Sequence, residues 1–363
     1  MTTEVPPINV DSSRAAPFKR RAIPELVWSL ASVVLSLAFL APLLAIAGAS
    51  IPDGYRIMFE ASFADEAAIR FLLLASTPLV IVGLGVALPL RAGLFNLGGE
   101  GQLLAGALAT VWVATSLGVA SVGSGSFLIS LMAGALAGAL VGGIAGWLKA
   151  RRNVSEIVTT LMLSFIVLLF SQWLVSGPLQ TANAVYPTTD TVPLGAQLGS
   201  IGLNIPVPLG FVVAVVIAIL VWLGTEFTRF GWRQRLMGLN VRVAERQGVR
   251  LGRETIIVLA LGGALAGVGG GAEVLGNQLR VGYVFSPGWG FDALIIALLA
   301  RGSALGVIPF ALYFGFLRNG ALVLQQELQV SPDLVFVMGG VPVILVAAVL
   351  GWRSYKRSAA PQG

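Results

Sequence analysis

Long apolar runs separated by short polar connections dominate this chain. Several runs hold about 20 residues with few or no charges, the length that a helix needs to cross a hydrocarbon layer of roughly 30 Å. The pattern predicts ten membrane-spanning helices, at 27–49, 70–90, 102–119, 126–148, 155–176, 208–226, 255–272, 290–300, 304–324 and 333–351. The eighth run is short and is typical of a half-helix or of one arm of a re-entrant pair, so counts of nine and eleven are the alternatives.

The composition supports this interpretation. Of the 363 residues, 56% are hydrophobic and only 11% are charged. A soluble domain could not bury so much apolar surface, and several separate spans exclude a globular protein with a single anchor. We therefore expect an all-α polytopic membrane protein.

The basic residues predict an orientation. With ten spans and a cytoplasmic N-terminus, all but four of the 23 Lys and Arg residues fall on the cytoplasmic side. The exceptions are Arg56, Arg70, Arg280 and Arg318. This asymmetry has the direction of the positive-inside rule. It predicts a cytoplasmic segment at 1–26, a transmembrane domain at 27–351 and a cytoplasmic tail at 352–363.

Two connections are longer than the others. The 177–206 loop contains no Lys or Arg and has four prolines, which favours an irregular cap on the extracytoplasmic face. The 227–253 loop is rich in arginine and is predicted to face the cytoplasm. Within it, Asn240 can cap a short helix that ends at Gly248. Such a helix suits docking into a groove on a partner protein; the alternative is a basic amphipathic connector resting on anionic lipid headgroups.

Several kinds of chemistry are excluded by composition. The chain has no cysteine and no histidine, which excludes disulfides, thiolate chemistry, the usual zinc sites and a histidine proton relay. We expect no metal and no catalytic residue. The net charge of +6 lies largely in residues at span ends, which indicates membrane orientation and not nucleic-acid binding. None of the three lysines follows a glycine, as a Walker A loop requires, so any ATP hydrolysis belongs to another polypeptide.

A polar segment rich in glycine interrupts the apolar pattern between the second and third spans. Its glycines would destabilise one continuous helix through 90–102, which predicts a helix break. Broken helices at membrane depth commonly hold substrate in transporters. The candidate substrate residues here are Phe95, Asn96, Glu100 and Gln102. The structural alternatives are that Glu100 lies near a helix dipole or pairs with Arg91, and that the two amides satisfy broken backbone.

A second group of candidates lies at the start of the short eighth span. Trp289 and Phe291 could stack on a ring-shaped substrate beside Asp292, or they could be interfacial anchors. Glu273 and Asn277, near the predicted outer end of the seventh span, have the same two interpretations.

A candidate internal repeat connects the two groups. The spacing Arg91-x-Gly93-x5-Gly99-x-Gly101 recurs as Arg280-x-Gly282-x5-Gly288-x-Gly290. Five predicted spans separate the copies, so the copies would face opposite sides of the membrane, as in inverted-repeat transporters. Chance matches are easy in a chain with 45 glycines.

Four sequence stretches, in order along 70–350, resemble bacterial ABC importer permeases of the branched-chain amino acid, ribose and nucleoside group. They are FNLGGEGQ at 95–102, KARRNVSEIVTTLML at 149–163, MGLNVRVAERQGV at 237–249 and GFDALIIALLARGSALG at 290–306. The first looks most like the nucleoside or simple-sugar type, which works beside a second, shorter permease paralogue. Two departures are Val243, where the family usually has a second alanine, and the glycine-rich pair Gly98–Gly99.

The resemblance implies a type II ABC importer-like permease in the bacterial cytoplasmic (inner) membrane. It implies as partners an ABC ATPase subunit that uses the ATP, a second paralogous permease, with a heterodimer favoured over a homodimer, and an extracytoplasmic substrate-binding protein. This chain itself would bind no cofactor. The residues that the matching family loop places at the ATPase contact are Asn240, Arg242, Ala244, Glu245, Arg246 and Gly248.

The expected function is therefore ATP-driven alternating access for a small polar solute, a nucleoside or a simple sugar. The main alternative is a secondary transporter driven by Na⁺ or H⁺, with Glu100 and Asp292 as ion-coupling groups. A third class, a membrane scaffold or channel without coupled transport, is disfavoured by the family-like 227–253 loop.

Overall fold

A computed structural model describes residues 50–116, 125–182, 184–202 and 206–328, with scattered positions between 34 and 45. The continuous described ranges all belong to one compact unit, Leu43–Gly339. The predicted last span at 333–351, the segments 1–26 and 352–363, and all but scattered positions of the first span lie outside the described residues.

Helices make up most of the described chain. In the first half they are α1 (Ile51–Phe63), α2 (Glu66–Arg91), α3 (Gly99–Ser116), α4 (Ser126–Arg152) and α5 (Glu156–Val175). In the second half they are α6 (Leu209–Phe227), α7 (Arg229–Leu239), α8 (Val241–Arg246), α9 (Leu251–Glu273), α10 (Trp289–Leu299) and α11 (Ala304–Leu328). A π-helical turn, Val274–Gln278, extends α9.

The predicted spans can be compared with these helices. Each of the eight spans predicted between 70 and 324 coincides with a helix. Six helices of the described chain are long and apolar enough to cross a membrane: α2, α4, α5, α6, α9 with its π turn, and α11. The other two are not among these six helices. Helix α3 carries the polar residues Glu100 and Gln102 in its first turn, and α10 has only 11 residues. The protein is therefore a multi-pass helical membrane protein, and the count of ten spans stays a prediction.

Helix α1 was missed by the apolar pattern because it is amphipathic. Charged residues occupy one face, where Arg56 lies 3.6 Å from Asp53 and 3.7 Å from Glu60. Ile57 and Met58 are buried on the other face. A search for uniformly apolar windows does not detect such a helix, since its buried residues recur only once per turn.

Helices α4 and α9 are in close backbone contact along much of their length. Four glycines spaced by four residues, Gly134, Gly138, Gly142 and Gly146, line the face of α4 that meets α9. A Cβ added at Gly138 would overlap the carbonyl oxygen of Gly263, and one at Gly142 would overlap that of Leu259. The small residues therefore let two helix backbones pack directly, as their spacing suggests.

The 177–206 loop is more ordered than its prolines indicate. Residues 188–198, here called the strap, run along the segment that follows α9. The backbone N–H groups of Thr189, Val192 and Leu198 donate to the carbonyls of Val281, Leu279 and Leu275, at 3.0, 2.7 and 2.8 Å. A 3-10 turn at Leu194–Ala196 and a two-stranded pair, β1 (Ser200–Ile201) with β2 (Val207–Pro208), complete the connection to α6.

Candidate functional site

The predicted helix break between α2 and α3 is present. Helix α2 ends at Arg91, and Gly93 has a φ of 76°, a left-handed conformation that glycine adopts without a steric penalty. Helix α3 begins at Gly99. The glycines at 93–101 thus end one helix and start the next, as the sequence predicted.

Two candidate amides within the break, Asn96 and Gln102, hydrogen-bond to each other. Asn96 Nδ2 donates to Gln102 Oε1 at 2.9 Å, and Gln102 Nε2 donates to Asn96 Oδ1 at 3.1 Å. The backbone N–H of Gly98 also donates to Asn96 Oδ1, at 3.0 Å. Both side chains are buried. The pair therefore satisfies polar groups that the break would otherwise leave unpaired.

Helix α5 supplies two further hydroxyls that the sequence analysis missed. Thr160 Oγ1 accepts from the backbone N–H of Leu97 at 3.1 Å, and Ser164 Oγ accepts from that of Gly101 at 3.2 Å. A signal existed, since these two polar residues lie four apart, on one face of an otherwise apolar helix. They fix the start of α3 against α5.

The break lies well inside the bundle. A Cβ on Gly99 would lie 3.4 Å from the side chains of Val82 and Val86, which precede Arg91 by nine and five residues. At 1.5 Å per residue these positions lie about 14 and 8 Å from the end of α2. After Arg91 the chain therefore turns back into the protein before α3 begins.

The start of α10 meets the start of α3, and this contact is called the helix crossing below. The backbone N–H of Gly290 donates to Glu100 Oε2 at 2.7 Å. A Cβ on Gly290 would overlap the backbone nitrogen of Glu100, so the two helix starts are in backbone contact. Helix N-termini carry partial positive charge, which the Glu100 carboxylate offsets for both helices.

An ion pair stands beside the helix crossing. Arg318 of α11 lies 2.6 Å from Asp292 of α10 and donates to the carbonyl of Pro287 at 3.1 Å. This pair ties α11 to the loop that leads into α10. The charge of Asp292 is therefore partly neutralised by Arg318. From the sequence, Arg318 was noted only as one of four basic residues outside the cytoplasmic side.

The aromatic candidates differ in exposure. Trp289 is 7% exposed and packs edge-on against Phe285, with 5.8 Å between the ring centroids. Phe291 is 46% exposed and Phe95 is 40% exposed. The structure thus brings Glu100, Trp289 and Asp292 to the crossing of α3 and α10, and leaves two rings open to contact with other molecules.

The 227–253 loop contains the predicted short helix. Asn240 Oδ1 accepts from the backbone N–H groups of Arg242 and Val243, at 3.0 and 3.3 Å. Helix α8 follows, and the chain leaves it through Gly248, whose φ is 79°. The cap and the stop are confirmed, while the preceding helix α7 was not predicted.

Helix α8 is seated on the loop that begins the break. Ala244 is fully buried in a cluster with Ala92 and Leu94 of that loop, Met237 of α7 and Val249. The other side of α8 is exposed and presents Arg242, Glu245 and Arg246. One face of this short helix therefore contacts residues immediately before the Phe95–Gln102 segment, and the opposite face is free to meet another molecule.

Glu226, at the end of α6, connects α7 to α2. Its carboxylate accepts from Arg91 at 2.6 Å and from Arg235 at 2.7 Å. Arg91 therefore pairs with Glu226 and not with Glu100. A second pair, Arg233 with Glu254 at 2.9 Å, holds α7 to α9. Arg91 and Glu226 lie 135 residues apart, so sequence spacing could not reveal this pair.

Long apolar helices, with two helix starts that meet inside the bundle, are typical of multi-pass membrane transport proteins. The chain belongs to the family described as branched-chain amino acid transport system / permease component, whose profile matches residues 68–349. It is an ABC transporter permease, a transport component and not an enzyme. Among the described residues, no group of three or more Asp or Glu side chains is placed to hold a metal ion.

Relatives match most of the chain. The glucose ABC transporter permease protein TsgB13 of Haloferax volcanii is 34% identical over 316 residues, covering 84% of this chain and 82% of that protein. The guanosine ABC transporter permease protein NupP of Bacillus subtilis is 31% identical over 336 residues, covering 90% and 94%. The guanosine ABC transporter permease protein NupQ of the same organism is 28% identical over 259 residues, covering 69% and 80%.

Proposed function

We propose that this chain is the permease subunit of an ABC importer for a nucleoside or a simple sugar. The observation that carries the proposal is its similarity, over more than four-fifths of its length, to one permease named for glucose and another named for guanosine. Both solutes are rich in hydroxyl groups and ring-shaped. The broken helices α3 and α10 provide the kind of interior that transporters use for such solutes.

The second permease of the complex is a paralogue of this chain. Support comes from NupP and NupQ, two permeases of one organism that are both named for guanosine and both match this chain. A separate ATPase subunit and an extracytoplasmic substrate-binding protein complete the importer. The lack of a Gly-Lys pair in this sequence, which a Walker A loop requires, supports the separate ATPase.

The solute passes the helix crossing. Asn96 and Gln102 hold the break in shape through their mutual hydrogen bonds, and Glu100 holds α10 against α3. Trp289 and Asp292 fix the start of α10, while the exposed rings of Phe95 and Phe291 contact the solute. Access alternates when α3 and α10 shift against each other, because their only direct polar link among the described residues is the Glu100–Gly290 hydrogen bond.

The ATPase docks on helix α8. Its exposed side chains Arg242, Glu245 and Arg246 make the contact, while Asn240, Ala244 and Gly248 keep the helix capped, seated and ended. Movement of α8 reaches the break through the buried cluster that Ala244 shares with Ala92 and Leu94.

The topology has both termini in the cytoplasm, the 177–206 loop outside and ten spans in the cytoplasmic membrane. An inverted repeat relates its two halves. An offset of 189 superposes α2 on α9 and α3 on α10 in sequence. Under this offset Glu100 corresponds to Trp289, the neighbour of its hydrogen-bond partner Gly290, as expected for a contact that lies close to a two-fold axis.

Uptake by reconstituted vesicles tests the proposal. The chain, its paralogue and the ATPase are co-purified into proteoliposomes with the binding protein outside, and tritiated guanosine and glucose are supplied in separate arms. We expect uptake of one solute only when ATP is enclosed. The purified chain alone, with a Na⁺ or H⁺ gradient, is the comparison. Gradient-driven uptake by the single chain would overturn the proposal in favour of an ion-coupled transporter.

A further inference from the structure

A polar cavity of about 460 Å³ lies at the end of the bundle that is predicted to be extracytoplasmic. Three elements surround it: the start of α2, the strap with the residues after it, and the π turn at the end of α9. Its chemically informative lining residues are Arg70, Phe71, Gln197 and Asn277. The volume falls within the range of small-molecule sites. It lies apart from the helix crossing, since none of the crossing residues lines it.

The strap gives the cavity a defined wall. Backbone hydrogen bonds from Val192 to Leu279 and from Leu198 to Leu275 fasten both ends of this stretch to the chain around the π turn. Between these bonds, Gln197 Nε2 donates to the carbonyl of Val192 at 2.9 Å. One of the two N–H groups of this amide is thereby used within the strap, and the amide oxygen of Gln197 can accept a hydrogen bond from a ligand.

A buried acid orients the opposite wall. Glu273 is 1% exposed, and its Oε1 accepts from Asn277 Nδ2 at 2.7 Å and from Gln278 Nε2 at 3.3 Å. No cation pairs with it among the described residues. The bond to Glu273 uses one N–H of the Asn277 amide and orients this side chain, whose amide oxygen can accept a hydrogen bond from a ligand. Single π turns recur at functional sites, and an acid within a membrane helix indicates function by default.

The lining residues are chemically suited to bind a hydroxylated ring. The Arg70 guanidinium can only donate hydrogen bonds, and the two amide oxygens can only accept them, whereas a hydroxyl can do both. Phe71 is 54% exposed and offers a ring face for a nucleobase or the apolar face of a sugar. None of the described residues that line the cavity is acidic, and Arg70 among them disfavours a cation as ligand.

We propose that this cavity is an outer solute subsite, which holds a nucleoside or simple sugar after its release from the binding protein and before it reaches the helix crossing. This inference rests on the proposed function. It assigns Arg70, Phe71, Gln197 and Asn277 as solute-binding residues.

Equilibrium binding tests the subsite directly. The complete permease–ATPase complex is placed in nanodiscs without binding protein or ATP, and saturable binding of tritiated guanosine and glucose is measured separately. We expect binding of the solute that the vesicles take up. Arg70→Gln and Phe71→Leu each weaken it about tenfold, the loss expected for one good hydrogen bond or one stacked ring. Phe71→Tyr keeps the ring and stays near the wild-type Kd.

Arg280→Gln is the matched control, because Arg280 is a second arginine at the same end of the bundle and lines a different cavity. We expect its Kd to be unchanged. If Arg70→Gln prevents assembly, Phe71→Leu decides, since that ring is largely exposed. Wild-type Kd values for both variants, or absence of saturable wild-type binding in a complex that transports, would overturn the subsite. Absence of ATP-driven uptake by the wild-type complex would instead overturn the proposed function.

Discussion

Gly290 shows how one residue can decide a tertiary contact. Its backbone N–H reaches the Glu100 carboxylate only because no side chain separates α10 from α3. Glu100 is the acidic residue that the sequence singled out, and its partner turned out to be a backbone amide 190 residues away. Glu100 therefore belongs to the contact between the starts of α3 and α10.

Replacing Gly290 by alanine tests that assignment. The added Cβ overlaps the backbone of Glu100, so we expect Gly290→Ala to lower stability by about 1–3 kcal/mol, as overpacking does, and to abolish most ATP-driven uptake. Thermal unfolding of the purified complex and vesicle uptake are the measurements. Gly282→Ala is the control, because a Cβ there meets nothing within 4 Å. Equal behaviour of the two variants would refute a close crossing.

Helices α4 and α9 illustrate packing at the element scale. Glycine costs about 1 kcal/mol relative to alanine within a helix, yet α4 keeps it at every fourth position of one face. The contact with α9 explains why glycine is kept at these positions, since a Cβ atom would not fit between the two backbones. The neighbouring Gly143 lies at the edge of this face, where an added Cβ would make only an ordinary contact with Ala260 Cβ of α9, at 3.7 Å.

Two adjacent glycines of α4 give a matched pair of variants. We expect Gly142→Ala to destabilise the protein by about 1–3 kcal/mol, because its Cβ overlaps the carbonyl of Leu259. We expect Gly143→Ala to be neutral or stabilising, because it gains helix propensity without a clash. Thermal unfolding in detergent compares them. A loss of stability with Gly143→Ala as large as that with Gly142→Ala would contradict the packing described for this face.

The position of α7 depends on charged contacts. Replacing Glu226 by glutamine removes the charge that Arg91 and Arg235 share, at a cost of about 1.5–3 kcal/mol for the charged hydrogen bonds. We expect Glu226→Gln to keep ATP hydrolysis while lowering uptake per ATP, because α7 and α8 then move without carrying the end of α2 with them. Glu60→Gln, which removes an exposed pair with Arg56, is the control and should change neither rate. Parallel loss of both rates with Glu226→Gln would argue for a general defect.

At the scale of the whole molecule, a contact path joins the exposed face of α8 to the helix crossing. Arg242, Glu245 and Arg246 lie on the surface, Ala244 shares one buried cluster with Ala92 and Leu94, and the break follows directly in the chain. An ATPase bound to α8 would therefore act on α3 over a short distance.

Cysteine cross-linking tests ATPase docking without background, because the chain has no native cysteine. We expect Arg242→Cys to cross-link to a co-expressed ATPase subunit that carries an engineered cysteine at its permease-facing surface. The control is Tyr186→Cys. Tyr186 is 80% exposed in the 177–206 loop, on the side of the membrane opposite to α8 in the predicted topology, so this variant should give no cross-linked product. The measurement is a shifted band on a non-reducing gel. An assembled complex in which Arg242→Cys remains unlinked would exclude α8 as the docking helix.

Much of the fold was predictable because it depends on local composition. Apolar runs of helical length identified every long helix from α2 to α11, and the cap at Asn240 and the glycines at 93–101 were read correctly as a start and a break. Helix α1 was missed because its apolar positions alternate with charges. The strap was missed because its hydrogen bonds join residues about 80–90 positions apart, as between Val192 and Leu279.

The sequence by itself determined a helical membrane protein with an interrupted core, since transfer to hydrocarbon and helix breaking are properties of short stretches of residues. It also determined where polar groups stand along the chain. Only the tertiary structure decided which of them meet: Asn96 with Gln102, Arg91 with Glu226, and Glu100 with Gly290. It also placed Gly99, the first residue of α3, beside positions of α2 that lie about 8–14 Å from the Arg91 end of that helix. Depth and partnership follow from the packing of distant helices, which no local pattern contains.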